Sequence, residues 1–119
     1  MCEHMRPASA FWSFRENISP SALSVTTDGK HTVVGTQNGL IFLNSRGRPL
    51  WFNKKIRKVA DVSVSTKSGK IAVGSSQKVL YLVNLKGEPI WHRELDSSVI
   101  AVSISSRGNL IVVGTDLGK

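Results

Sequence analysis

The strongest constraint in this sequence is an internal repeat of about forty residues. Three tryptophans, Trp12, Trp51 and Trp91, are separated by 39 and 40 residues. The same two intervals separate three glycines, Gly35, Gly74 and Gly114. Units that repeat at such a period cannot bury their apolar faces alone, so they stack on their neighbours. The sequence therefore predicts a modular chain of stacked units.

Each unit contains four short runs that read as β-strands. In the complete unit these runs of β-branched and aromatic residues lie at 62–65, 70–74, 79–84 and 89–93. Turns that contain glycine, such as 67–69 and 86–87, separate them. No stretch keeps a helical period long enough to compete. The pattern predicts an all-β fold of antiparallel strands that follow one another in chain order.

The first strand of each unit has one face made of small residues. Asp61, Ser63 and Ser65 share that face in the complete unit, because side chains alternate along a strand. Such residues favour the close approach of another sheet. The second and third strands are nearly continuous apolar runs, which indicates cover on both faces. Four-stranded antiparallel sheets of this kind, repeated about every forty residues, are typical of β-propeller blades.

From Phe11 onward the units resemble the blades of WD-repeat and quinoprotein-like (PQQ-type) β-propellers. The segments Gly47–Trp51 and Gly87–Trp91 are similar to the Gly-x-x-x-Trp of quinoprotein-like blades, whereas the Gly-His and Trp-Asp pairs of WD repeats are absent. The resemblance implies that the repeated tryptophans pack between neighbouring blades. It also implies an N-terminal tail at 1–10 and a partial propeller at 11–119, with blade boundaries near 22–53, 61–93 and 100–119.

This division yields two complete blades and two partial ones, fewer than the 4 to 8 blades of a closed ring. Two arrangements follow from it. The chain is either a segment of a larger propeller, which we favour, or a unit whose copies assemble to complete a ring. In both cases we expect further blades, from the same or a neighbouring chain, as partners.

Charge supplies the best functional lead in the sequence. Sixteen Lys and Arg against eight Asp and Glu give a formal net charge of +8, which favours anionic partners. Four cations without an intervening acid lie in the connection between two blades: Lys54, Lys55, Arg57 and Lys58. The corresponding connection, 93–96, is not basic. The cluster lacks interleaved exposed aromatics, so an acidic protein is the favoured partner and nucleic acid is an alternative.

The predicted binding surface consists of this basic connection and the loops that the resemblance implies on the same rim. Its members are Gln37, Asn38, Lys54, Lys55, Arg57, Lys58, Ser76 and Gln77. Asp61 is a further candidate, because alanine stands at the matching positions of the other units. We expect its carboxylate either to reach solvent and a ligand in the central channel or to pair with Arg57 or Lys58. Replacement of Asp61 by Ala is predicted to be tolerated, as its sister repeats use Ala.

No catalytic constellation is visible. The three histidines, His4, His31 and His92, occupy unrelated repeat positions and no carboxylate recurs with them, so we expect no catalytic residue, metal or cofactor. The prediction is a non-catalytic interaction scaffold. Two alternatives stay open: the propeller part of a PQQ-dependent dehydrogenase, and a propeller that binds nucleic acid through a basic rim. The resemblance implies a cluster of carboxylates and amides around quinone and calcium in the first, and the sequence shows no such cluster.

Three features bear on the compartment. The single cysteine, Cys2, excludes an internal disulfide. No apolar run approaches the ~20 residues that cross a bilayer. The N-terminus lacks a basic segment followed by an apolar one, so it does not resemble a secretory signal. These features favour the cytoplasm.

Overall fold

The computed structural model describes residues 20–25 and 29–116, and within them it contains ten β-strands. In chain order these are β1 Pro20–Val25, β2 Thr32–Thr36, β3 Leu40–Leu43, β4 Pro49–Asn53, β5 Val59–Ser65, β6 Lys70–Ser75, β7 Val79–Asn84, β8 Pro89–Glu94, β9 Val99–Ile104 and β10 Ile111–Thr115. Three antiparallel sheets result: a first sheet β1–β4, a second sheet β5–β8 and a third sheet β9–β10. The predicted all-β fold of blade-like sheets is confirmed. Trp12 and the tail at 1–10 lie outside the described residues.

Asparagine and glycine together form the turn before the fourth strand in both complete sheets. Asn84 Oδ1 accepts hydrogen bonds from the backbone N–H groups of Lys86 and Glu88, at 2.9 and 3.0 Å. Gly87 then takes a φ of 84°, a left-handed conformation that glycine adopts without steric cost. Asn44 makes the same two bonds in the first sheet. The repeated asparagine is therefore a turn residue.

The sheets stack in chain order, each burying one face against the next. We call the face directed toward the following sheet the trailing face and the opposite one the leading face. Val33, Leu40 and Phe42 on the trailing face of the first sheet share an apolar cluster with the leading face of the second, namely Val59, Val62, Ile71, Val73 and Val83. A second cluster joins the second and third sheets, from Ala72, Leu80 and Leu82 to Val99, Val102 and Ile104. All four residues of β3 are buried, which confirms the predicted cover on both faces there.

The repeated glycines allow the next sheet to approach closely. A Cβ atom on Gly74 would overlap the Val99 side chain and lie 2.8 Å from Val102 Cγ1. Gly35 stands in the same relation to Val59 of the second sheet. Any side chain at these positions would push the sheets apart. The glycine period seen in the sequence therefore reflects packing between sheets.

Polar side chains of β5 form hydrogen bonds to β9 and the turn after it, and so join the second and third sheets. The N–H of Val102 donates to Asp61 Oδ2 at 2.9 Å, and the N–H of Ile104 donates to Ser63 Oγ at 3.2 Å. Ser65 Oγ donates to the carbonyl oxygen of Ser106 at 2.8 Å. The small-residue face of β5 is thus approached closely by another sheet, as the sequence predicts.

The described part of the chain contains no helix long and apolar enough to cross a bilayer.

Candidate functional site

The connection from the first to the second sheet, residues 54–58, is held by one apolar side chain in its middle. Ile56 is 2% exposed and belongs to the cluster between the two sheets. The four cations around it, Lys54, Lys55, Arg57 and Lys58, are all exposed. We call this segment the basic connection. Because Ile56 is fixed in the core and its neighbours in the chain are exposed, the basic connection presents its positive charge to solvent.

Backbone hydrogen bonds attach the basic connection to loops of two sheets. The N–H of Lys58 donates to the carbonyl oxygen of Gln37 in the first sheet, at 2.9 Å. The carbonyl oxygen of Lys58 accepts from the N–H of Ser76 in the second sheet, also at 2.9 Å. Ser75 Oγ donates to the carbonyl oxygen of Arg57 at 2.8 Å. Three segments that the sequence places far apart are therefore joined at one rim.

The remaining members of the predicted surface lie in the same two hairpins. The N–H of Asn38 donates to Thr36 Oγ1, and the N–H of Gln77 donates to Ser75 Oγ, both at 3.0 Å. Lys58 itself has a φ of 52°, a left-handed conformation that is unfavourable for a residue with a side chain. Its two backbone bonds hold it there, so this rim is built with little conformational freedom.

Asp61 follows the basic connection by three residues, in β5, and among the described residues it does not form an ion pair with Arg57 or Lys58, one of its two expected environments. Its Oδ1 accepts from its own neighbour, the N–H of Val62, at 3.0 Å. Its Oδ2 accepts from the N–H of Val102 in the third sheet. Backbone donors take the place of the expected cation because the inner strand of the next sheet runs directly past the carboxylate. Asp61 is thus an acceptor between sheets.

A groove of about 620 Å³ lies next to the basic connection, between the outer strands β4 and β8. Trp51, Phe52, Lys54 and Lys55 line it from the first sheet and its connection, and Tyr81 and Lys86 line it from the second sheet. We call it the outer groove. Sequence reasoning missed it, and in particular missed that Phe52, 43% exposed, stands beside these cations. The repeat could have indicated the groove, because the strand that contains the tryptophan in one unit packs against the glycine turn of the next unit.

Trp51 fixes the two walls of the outer groove relative to each other. Its Nε1–H donates to the carbonyl oxygen of Leu85 at 2.8 Å, and its ring packs against Gly87. Asn53 Nδ2 donates to the carbonyl oxygen of Gly87 at 3.1 Å. The prediction that the repeated tryptophan packs between sheets is confirmed for Trp51. Trp91 holds the matching place in β8 and is 40% exposed, because the third sheet has only two strands among the described residues.

Among the described residues, no three His, Cys, Asp or Glu side chains are grouped so that they could hold a metal ion. The structure thus brings together the rim residues that the sequence selected, and it adds the outer groove. Asp61 is instead used as a hydrogen-bond acceptor toward the third sheet.

Comparison with known proteins identifies the fold. No family model matches the chain, and no curated protein sequence matches it. Among solved structures it is similar to hydrazine synthase of Kuenenia stuttgartiensis, a β-propeller-containing protein, with a TM-score of 0.71. The sequences are 14% identical, and the match covers 81% of this chain but only 29% of the length of that one. At this identity the likeness concerns the fold alone, and it supports a β-rich fold of the kind that such proteins contain.

Proposed function

We propose that the chain is a β-propeller repeat module, of the WD-repeat or quinoprotein-like type, that acts as a non-catalytic scaffold for protein interaction. Two complete four-stranded sheets with the same asparagine turn before the last strand, and two glycines, Gly35 and Gly74, that the next sheet packs against in the same way, support the repeat assignment, and so does the structural likeness. Further blades, from the same or a neighbouring chain, are the second kind of partner. They would stack on the trailing face of the third sheet.

The rim around the basic connection carries the proposal. Binding residues are commonly found on loops that a rigid scaffold positions. Here Ile56 anchors the loop in the core. The N–H of Lys58 donates to the carbonyl oxygen of Gln37, and the carbonyl oxygen of Lys58 accepts from the N–H of Ser76. The four exposed cations then form a surface whose shape is set before any partner arrives. A preformed surface loses less conformational entropy on binding.

The charge of this rim points to an acidic protein surface as its partner. The basic connection has four cations and no acid, whereas the corresponding segment between the second and third sheets, 93–96, contains Glu94 and Asp96 beside Arg93. The charge is therefore a property of this one connection and not of the repeat. Complementary charge accelerates association and selects partners, more than it adds affinity.

A charge-reversal experiment with a matched control tests the proposal. The rim variant changes Lys54, Lys55, Arg57 and Lys58 to Glu. The control variant changes four other exposed cations to Glu, which are Arg46, Arg48, Lys67 and Arg107. Both variants undergo the same change in net charge. Affinity capture from an extract of the source organism, read by mass spectrometry, should recover a protein partner with the native chain and with the control variant, but not with the rim variant.

Two results would contradict the rim proposal. Unchanged capture by the rim variant would show that the basic connection does not contact the partner. Equal loss from both variants would show that only overall charge matters. Circular dichroism of both variants must first show the β-sheet spectrum of the native chain.

A further inference from the structure

We infer that the outer groove is a binding site for an extended acidic peptide segment. This inference rests on the proposed function, because it names the chemistry of a partner segment. It adds a second contact surface, formed by β4, β8 and the turn before β8, to the rim around the basic connection. Three properties of the groove support it: its charge, the uncovered strand edges and the packing of its aromatic rings.

Positive charge stands on both walls of the outer groove and exceeds the negative charge of its lining. Lys54 and Lys55 lie on one wall and Lys86 on the other, and all three are exposed. The lining also contains one acid, Glu88, whose Oε1 accepts a hydrogen bond from Asn84 Nδ2 at 2.9 Å, so three ammonium groups face one carboxylate. None of the three lysines forms an ion pair within the described part of the chain. A concave site whose lining has an excess of one sign of charge concentrates ligands of the opposite sign.

The strands at the groove suit an extended peptide backbone. β4 is the last strand of the first sheet and β8 is the last strand of the second, so each has an edge that no described strand covers. Extended peptides bind such edges through main-chain hydrogen bonds, while side-chain pockets supply specificity. The apolar surfaces of Trp51 and Tyr81 line the groove between these edges. A peptide can therefore match both the backbone and the charge that the groove presents.

The aromatic rings of the groove do not form a platform for bases. Trp51 is already stacked on Phe42, with ring centroids 5.2 Å apart and planes 12° apart, and it also contacts Gly87. Lys54 Nζ stands 5.8 Å from the centroid of the Phe52 ring. Single-stranded nucleic acid needs free ring faces on which successive bases stack. With the Trp51 ring covered by Phe42 and Gly87, the groove offers its ammonium groups and the Phe52 ring beside Lys54, which favours carboxylates over a run of stacked bases.

Lys86 and Arg46 form the matched pair for the test, because they occupy the same position in the turns of consecutive sheets. Lys86 lines the outer groove and Arg46 does not. The probe is a fluorescein-labelled peptide with glutamates on both sides of a leucine, and its affinity is measured by fluorescence anisotropy at low salt. Lys86→Glu should weaken binding about tenfold, and Arg46→Glu less than about twofold, because exposed charges distant from the site are screened.

Other probes define the results that would overturn the inference. A peptide with glutamine in place of every glutamate should bind at least about tenfold more weakly, and equal binding would exclude a charge-selective site. Oligo-dT that binds more tightly than the peptide and is weakened by Lys86→Glu would assign the groove to nucleic acid instead. Equal losses for Lys86→Glu and Arg46→Glu would reduce the effect to overall charge.

The inference and the proposed function can fail separately, because Lys86 is not among the four rim cations that the capture experiment reverses. If the rim variant loses capture while Lys86→Glu leaves the peptide affinity unchanged, the proposed scaffold function stands and the groove is not the peptide site. Unchanged capture in the rim variant removes the rim proposal, whatever the peptide result.

Discussion

The trailing faces of the second and third sheets have the same residue pattern but differ in what covers them. On the second sheet, Ala72 is fully buried and Gly74 lies directly under the Val99 side chain. On the third sheet, the matching Val112 is 60% exposed, and the nearest atom to a Cβ on Gly114 would be 3.7 Å away. The repeated residues therefore give each trailing face a shape that fits another sheet, but the face is buried only where a following sheet packs on it.

The open face of the third sheet has the properties of a contact surface. Ile100 in β9 and Leu110 just before β10 are two further exposed apolar side chains here, at 59% and 60% exposure. Contiguous apolar surface of this kind usually marks an interaction site. The comparison supports the proposal that further blades stack on this sheet. The two faces also contain equivalent positions at which the same substitution is made once at a covered site and once at an open site.

The glycine pair should show the largest difference. Gly74→Ala places a methyl group against Val99 and Val102, and overpacking of this kind should lower the free energy of unfolding by about 2–3 kcal/mol. Gly114→Ala should be neutral or slightly stabilising, because alanine costs less backbone entropy than glycine in a strand. Urea unfolding followed by circular dichroism measures both. Equal effects would mean that the second and third sheets do not pack as described.

Replacement of Asp61, whose carboxylate lies between the second and third sheets, should have the second largest effect on the free energy of unfolding. Asp61→Ala removes the acceptor of the Val102 N–H and should cost about 2 kcal/mol of unfolding free energy, since a half-buried donor is left without a partner. Asp61→Asn keeps an acceptor oxygen and should cost less than half as much. This expectation differs from the tolerance predicted by the alanines of the sister repeats. A neutral Asp61→Ala in the same urea experiment would restore the sequence-based prediction.

The serine pair should show the smallest difference. Ser63→Ala removes the acceptor of the Ile104 N–H and should cost about 1 kcal/mol. Ser103→Ala, at the matching exposed position, should be close to neutral. Hydrogen exchange of the Ile104 amide provides a specific readout, because it should accelerate in Ser63→Ala and not in Ser103→Ala. Identical exchange in the two variants would rule out this bond.

Local structure was predicted well because its causes are local. The predicted run 79–84 coincides with β7, and the runs 70–74 and 89–93 end one residue before β6 and β8. The main difference is β5, which begins at Val59 and not at 62. Its pairing with β6 contains an irregularity between Val59 and Asp61. Such a bulge shifts the alternation of side chains, so the apolar pattern alone does not show that the strand continues.

The candidate binding surface was predicted only in part. The sequence selected the basic connection because consecutive cations are visible in a chain. It did not select the outer groove, since Phe52 and Lys86 meet only where β4 packs on the turn before β8. For Asp61 it offered solvent in the central channel or a cation partner, because the approach of the Val102 N–H from the next sheet is not visible in a one-dimensional pattern.

The sequence by itself determined the period of the repeat, the strands and the turns, because β-branched runs, turn asparagines and glycines act on their immediate neighbours in the chain. Only the tertiary structure decided which faces are covered, what Asp61 binds and where lysines and aromatic rings meet. Those properties depend on contacts between residues 34 to 41 positions apart, such as Trp51 with Leu85 and Asp61 with Val102. Such contacts are set by the stacking of whole sheets.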